Sequence, residues 1–220
     1  MPRLPDWRRS LGNDQGFTFI EVLIASAIFA MVLVGVYVIY DTNQATYTRG
    51  EGRADLQQNI RVALDEMTRE ILMAGYDPTN VLANPGAYSG LALGDFAMQS
   101  LAPSTVRFVA DVNGDGDSDV VEFSYDPTNK RITRRVWALS GTTFSTAGAQ
   151  AITEDNTVNF LTFTYYDDTN SQIPSADYGT KQYAVRRIEV SFSGTVKVGS
   201  QGTQSLALNS DIRPRNLSLE

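Results

Sequence analysis

The chain has 220 residues, of which 42% are hydrophobic and 20% charged, with a formal net charge of −7. That size suits one globular domain plus an appendage, and the acidic balance opposes generic binding to phosphate backbones, which needs clustered Lys and Arg. There is no Cys and no His, which excludes disulfide frameworks, thiolate nucleophiles, zinc centres and Ser-His-Asp triads.

Residues 1–16, MPRLPDWRRSLGNDQG, are polar and carry Arg3, Arg8 and Arg9. Residues 17–40, FTFIEVLIASAIFAMVLVGVYVIY, are apolar apart from one charge, Glu21. About 20 apolar residues span a bilayer as a helix. The basic flank comes first, so the positive-inside rule predicts residues 1–16 in the cytoplasm and the remainder outside. A secretory signal peptide has a shorter apolar core closed by a small-residue cleavage site. A plain membrane anchor accounts for the run but not for Glu21.

The next segment turns polar and has no proline until Pro78. Leu56, Ile60, Ala63, Leu64, Met67, Ile71 and Ala74 fall on one face of a helix. Gly75 is a natural C-cap and Pro78 stops continuation. Gly50 and Gly52 are weak points where the helix would bend. Residues 77–104 read as loop, rich in Gly, Pro, Asn and Ala. Period-two patterning then predicts strands over 105–110, 120–125, 131–139, 158–166, 183–192 and 206–212. In 158–166 both faces carry apolar residues, which points to a central strand. The expected fold class is α+β: a long N-terminal helix packed on a mainly antiparallel β-sheet head. The expected division is residues 1–16 as a cleaved leader, 17–40 as membrane or filament-core helix, 41–76 as an amphipathic continuation, and 77–220 as a β-rich head.

The first motif is GFTFIEVLIA, Gly16 to Ala25. A carboxylate within a membrane helix costs a few kcal/mol at its centre, so a partner is expected. A cut after Gly16 would give Phe17 a free amine about one helical turn from Glu21. The amine of a neighbouring subunit would serve as well. At these residues the chain resembles the type IV prepilins, whose signature is Gly followed by Phe-Thr-Leu-Ile-Glu. Gly16, Phe17, Thr18, Ile20 and Glu21 match, and Phe19 replaces Leu. The resemblance implies removal of residues 1–16 by a prepilin peptidase that also N-methylates Phe17, and docking into a filament guided by Glu21. It implies as partners other major and minor pilins and an inner-membrane assembly platform. The protein would cross the inner membrane once, with a periplasmic head, before entering a pilus. LQQNIRVALDEMTREILMAGYDP (56–78), DVNGDGDSD, LTFTYYD and the C-terminal IRPRNL resemble PilW-type minor pilins in particular. Pseudopilins of type II secretion share the N-terminal half of this pattern. The implied role is structural: a minor pilin that initiates, primes or caps a type IV pilus. A secretion pseudopilin and a tip adhesin or DNA-binding pilin are the alternatives, and no enzyme is implied.

The second motif, DVNGDGDSDVVE from Asp111 to Glu122, fits the calcium-loop pattern D-x-[DN]-x-[DN]-G-x₅-E. Asp111, Asn113, Asp115, Asp119 and Glu122 would offer side-chain oxygens, and Asp117 its backbone carbonyl. Calcium is the one candidate cofactor. Ser118 stands where an apolar residue usually pins such a loop, and the flanks read as strands. The competing reading is a polar hairpin turn.

Overall fold

A computed structural model of the chain describes residues 16–197 and 202–217. Residues 1–15 of the expected leader lie outside the described residues. The chain divides into two compact units, Met1–Tyr47 and Thr48–Glu220.

Helix α1, Phe19–Leu72, is a single α-helix of 54 residues that continues through Gly50 and Gly52. Its part in the first unit carries the apolar run, and the large apolar side chains from Phe19 to Tyr40 are exposed. This stretch is long and apolar enough to cross a bilayer.

In the second unit α1 becomes amphipathic. Leu56, Ile60, Ala63, Met67 and Ile71 are buried, as the periodicity predicts. The helix ends with two tightened turns, Met73 N–H to the Glu70 carbonyl and Ala74 N–H to the Ile71 carbonyl. Gly75 follows with φ +89°, and its N–H donates to the Val109 carbonyl at 2.8 Å. A side chain there would sit 2.9 Å from the Asn216 carbonyl oxygen, so both conformation and space demand glycine.

Among the described residues, eight strands form two antiparallel sheets. β1 (Met98–Ala102), β2 (Thr105–Ala110), β3 (Asp119–Asp126), β4 (Arg131–Ser140) and β5 (Thr143–Ala151) make a meander in that order. β6 (Val158–Tyr166), β7 (Arg187–Lys197) and β8 (Thr203–Ile212) make the second sheet. Two strands, β1 and β5, fall where the patterning predicts loop or nothing. The expected strand over 183–192 begins later, because Gln182–Ala184 forms a 3₁₀ turn.

The expectation that 158–166 is a central strand is corrected: β6 is an edge of the three-stranded sheet. A register shift between Val158 and Phe160 explains the two apolar faces. Val158 lies buried before the shift, while Leu161, Phe163 and Tyr165 are buried after it and Phe160 is left exposed. β6 is joined to the first sheet by side-chain and main-chain bonds. The Tyr165 hydroxyl reaches the Ala102 and Thr105 carbonyls, and the Phe163 N–H reaches the Pro103 carbonyl.

One core links these elements. Leu56, Ile60, Met67 and Ile71 of α1 pack with Phe108 and Phe123 of the first sheet and with Phe163, Val190 and Phe192 of the second. β7 approaches α1 so closely at Gly194 that an added Cβ would meet Ile60 Cδ1 at 2.5 Å and the Thr157 carbonyl at 2.8 Å. A smaller cluster on the first sheet gathers Val109, Val120, Trp137 and Phe144 with Val81.

Candidate functional site

Two groups of residues identified by motif are described, one at the start of α1 and one in the β2–β3 connection. At the first, the backbone is non-helical over Gly16–Thr18 and enters the helix at Phe19. A helix start exposes four backbone N–H groups without intrahelical partners. Thr18 and Glu21 bond each other reciprocally across this first turn. The Thr18 N–H and the Thr18 hydroxyl each donate to Glu21 Oε2 at 2.8 Å, and the Glu21 N–H donates to Thr18 Oγ1 at 3.3 Å. This is a capping box, Thr-x-x-Glu. A carboxylate in the first turn also opposes the positive end of the helix dipole. Sequence reasoning assigned Glu21 to an amine and passed over the cap, although Thr18-Phe-Ile-Glu21 spells it.

Gly16 and Phe17 lie just outside the helix. Phe17 is 89% exposed, and nothing lies within 4 Å of where a Gly16 Cβ would stand. The scissile position expected between them is therefore free of helical hydrogen bonding and accessible, as entry into a peptidase cleft requires.

The second group is the acidic loop. Gly114 and Gly116 take φ +75° and +88°, which folds the chain back sharply. Asp111 accepts the N–H groups of Gly114 at 2.7 Å and Gly116 at 3.1 Å. The Asn113 side chain accepts the Asp115 N–H, and the Asp115 carboxylate accepts the Asp117 N–H. Ser118 is buried and pins the loop by hydrogen bonds instead of by an apolar side chain. Its hydroxyl donates to the Asp77 carboxylate and accepts from the Thr79 hydroxyl at 2.7 Å, while its N–H donates to Thr79 Oγ1 at 3.0 Å. Asp77 in turn accepts the Val81 and Leu82 N–H groups.

Asp111, Asn113, Asp115 and Asp117 thus belong to one turn, and Asp119 opens β3 directly after it, paired with Ala110. Glu122 does not join them. It lies within β3, three residues past Asp119 and on the opposite face of the sheet. There it takes the Arg107 guanidinium, with Arg107 Nε at 2.9 Å, in a register that sets Arg107 across from Glu122. The sixth position of the calcium-loop pattern is therefore corrected, because a strand and not a helix follows the loop. Among the described residues no three acidic side chains are already gathered as a metal cluster.

Asp119 stands apart from the other acids. It is 1% exposed, its Oδ1 has no hydrogen-bond partner, and its Oδ2 accepts the Val112 N–H at 3.4 Å. Burial pushes its carboxyl up to about 6, with the charges of Asp115 and Asp111 adding to the rise and the Val112 N–H and Arg134 opposing it.

A third feature bears on ligand binding. A groove of about 700 Å³ in the head is lined by Asp77, Asp95, Phe96, Tyr183 and Arg186 among others. Phe96 and Tyr183 stand 5.7 Å apart and exposed, but Arg186 is turned to the Tyr183 and Val185 carbonyls. Two carboxylates against one occupied guanidinium do not make the basic, aromatic surface that single-stranded nucleic acid requires.

One long N-terminal helix, apolar and capped at its start, and two antiparallel sheets are the elements of a type IV pilin-like protein. Residues 51–213, most of the chain, match the family model of prepilin peptidase-dependent protein B, and the chain belongs to that family. Residues 11–37 match the prokaryotic N-terminal methylation motif. A solved type IV-like pilin, TTHA1219 from Thermus thermophilus, is similar at 12% identity and a TM-score of 0.48, over 74% of this chain and 98% of that one. No curated protein matches.

Proposed function

We propose that the protein is a minor pilin of the PilW type that helps initiate, prime or cap a type IV pilus. Prepilin peptidase removes residues 1–16 and methylates Phe17. Before assembly the chain crosses the inner membrane once, with its head in the periplasm; it then leaves the bilayer for the filament, where other pilins replace the lipid. Its role is structural and not enzymatic.

The observation that carries this reading is the coincidence of three features at one point. The methylation motif over residues 11–37, the accessible Gly16–Phe17 junction and the capped start of an exposed apolar helix all meet there. An isolated helix with such a surface needs lipid or a bundle of its own kind.

The test is to delete the coding sequence in the native host and count surface pili by electron microscopy. The expected result is a loss of most pili, restored by the wild-type copy. Normal piliation together with lost export of a secreted protein would overturn the pilus assignment in favour of a secretion pseudopilin.

A further inference from the structure

We propose that the β2–β3 loop binds one calcium ion through Asp111, Asp115 and the unpartnered Oδ1 of Asp119, with Glu122 taking no part. An acidic turn rich in Asn and Gly explains itself as a hairpin, and Asx hydrogen bonds are enough to shape it. Asp119 is what such a turn does not explain. A carboxylate this deeply buried is normally paired, since an uncompensated charge in the interior is costly. Oδ1 of Asp119 has no partner. The one bond to its Oδ2 comes from the Val112 N–H, so the carboxylate is tied to the loop backbone, within electrostatic reach of Asp111 and Asp115.

The nearby cation does not resolve this. Arg134 faces the same region, but its guanidinium gives three hydrogen bonds to Glu70 and stands 3.5 Å from Glu66. Three carboxylates from α1 and β3 therefore share one positive charge, and the loop adds Asp111 and Asp115. A divalent cation at the loop supplies the missing charge.

The donors are all oxygens, because the chain has neither His nor Cys. Hard oxygen donors on a loop that can adjust suit calcium better than magnesium, which demands a tight octahedron and keeps its water. Asp111 and Asp115 already hold backbone N–H groups, so binding draws their free lone pairs inward. The Asn113 side chain and the Asp117 carbonyl are the adjacent neutral oxygens. Ser118, bonded to Asp77 and Thr79, fixes the far side of the loop and lets the ion report on the docking of residues 77–82.

The experiment uses the full-length chain in detergent micelles, with calcium chloride titrated by calorimetry and melting followed in calcium or in chelator. The expected result is one calcium per chain, with a Kd on the order of 10⁻⁴–10⁻³ M, and a melting midpoint several degrees higher in millimolar calcium. Asp119→Asn, which keeps the shape and removes the charge, should melt higher than wild type in chelator and lose the calcium response. Asp115→Ala, which removes the side-chain oxygens at an exposed position, should also lose the response, and it serves if Asp119→Asn does not fold. Glu122→Gln should keep it. The proposal is overturned if the wild type gives no binding heat and no shift, if both Asp variants respond like wild type, if Glu122→Gln abolishes the response, or if magnesium acts equally at the same concentration.

Discussion

Replacing Glu70 with alanine should cost the head about 3–5 kcal/mol, the usual result of stranding one partner of a buried ion pair. Glu70 is 3% exposed on the buried face of α1. It receives Arg134 Nε at 2.8 Å and Arg134 Nη2 at 2.8 Å from β4. Removing the carboxylate leaves the guanidinium half-buried between the helix and the sheet, with Glu66 at 3.5 Å and the more distant charge of Asp119 to answer it but no buried hydrogen-bonded partner. Denaturant unfolding of the full chain in micelles, read by tryptophan fluorescence, measures the loss. The double variant Glu70→Met with Arg134→Met should recover much of it, because an apolar pair of similar volume incurs no desolvation. A loss below about 1 kcal/mol, the range of exposed pairs, would show that the contact does not clamp the helix to the sheet.

Glu21→Ala should leave membrane insertion intact and abolish entry into filaments. Two roles meet at this residue and they separate experimentally. As the N3 member of a capping box its removal frees the Thr18 N–H and weakens the first turn, which a helix of 54 residues tolerates. As the lone charge of the apolar run its removal eases insertion by a few kcal/mol at most. Neither effect stops assembly. The expected cause of failure is the loss of a carboxylate for the Phe17 amine of this or a neighbouring subunit. Glu21→Gln makes the distinction sharp, since Gln also closes a capping box but carries no charge. The prediction is that Gln, like Ala, inserts and fails to co-purify with partner pilins. Normal incorporation of Gln with failure of Ala would assign Glu21 to the cap alone.

The helix was legible because its two signals are strong and local. An uninterrupted apolar run and then a stripe from Leu56 to Ala74 leave little choice, and the stripe residues other than half-buried Leu64 are buried. The central strands β2, β3 and β4 were legible for the same reason: Val, Phe and Ile alternate with polar residues. β1 and β5 were not, because both are edges of their sheet. An edge strand such as TFSTAGAQA has one buried residue, Phe144, so its sequence carries almost no alternation. The Glu70–Arg134 pair joins residues 64 apart, which no local pattern reveals. At the sites, spacing pointed to Gly16, Phe17, Glu21 and the acidic loop as chemistry. It could not show that Glu122 would face away from the loop to meet Arg107, or that Asp119 would be buried with one oxygen unanswered. Those are facts of strand register and of how the head packs.

The central claim is that this chain is a processed pilin-like subunit, and intact-mass analysis of the protein from its native host tests it most directly. The expected chain begins at Phe17 and carries one methyl group on the new amine, with residues 1–16 removed. Gly16→Leu should retain the full-length mass, because a bulky residue at the cut blocks the close approach that glycine permits. A wild-type chain in the membrane or filament fraction that still begins at Met1 would contradict the account.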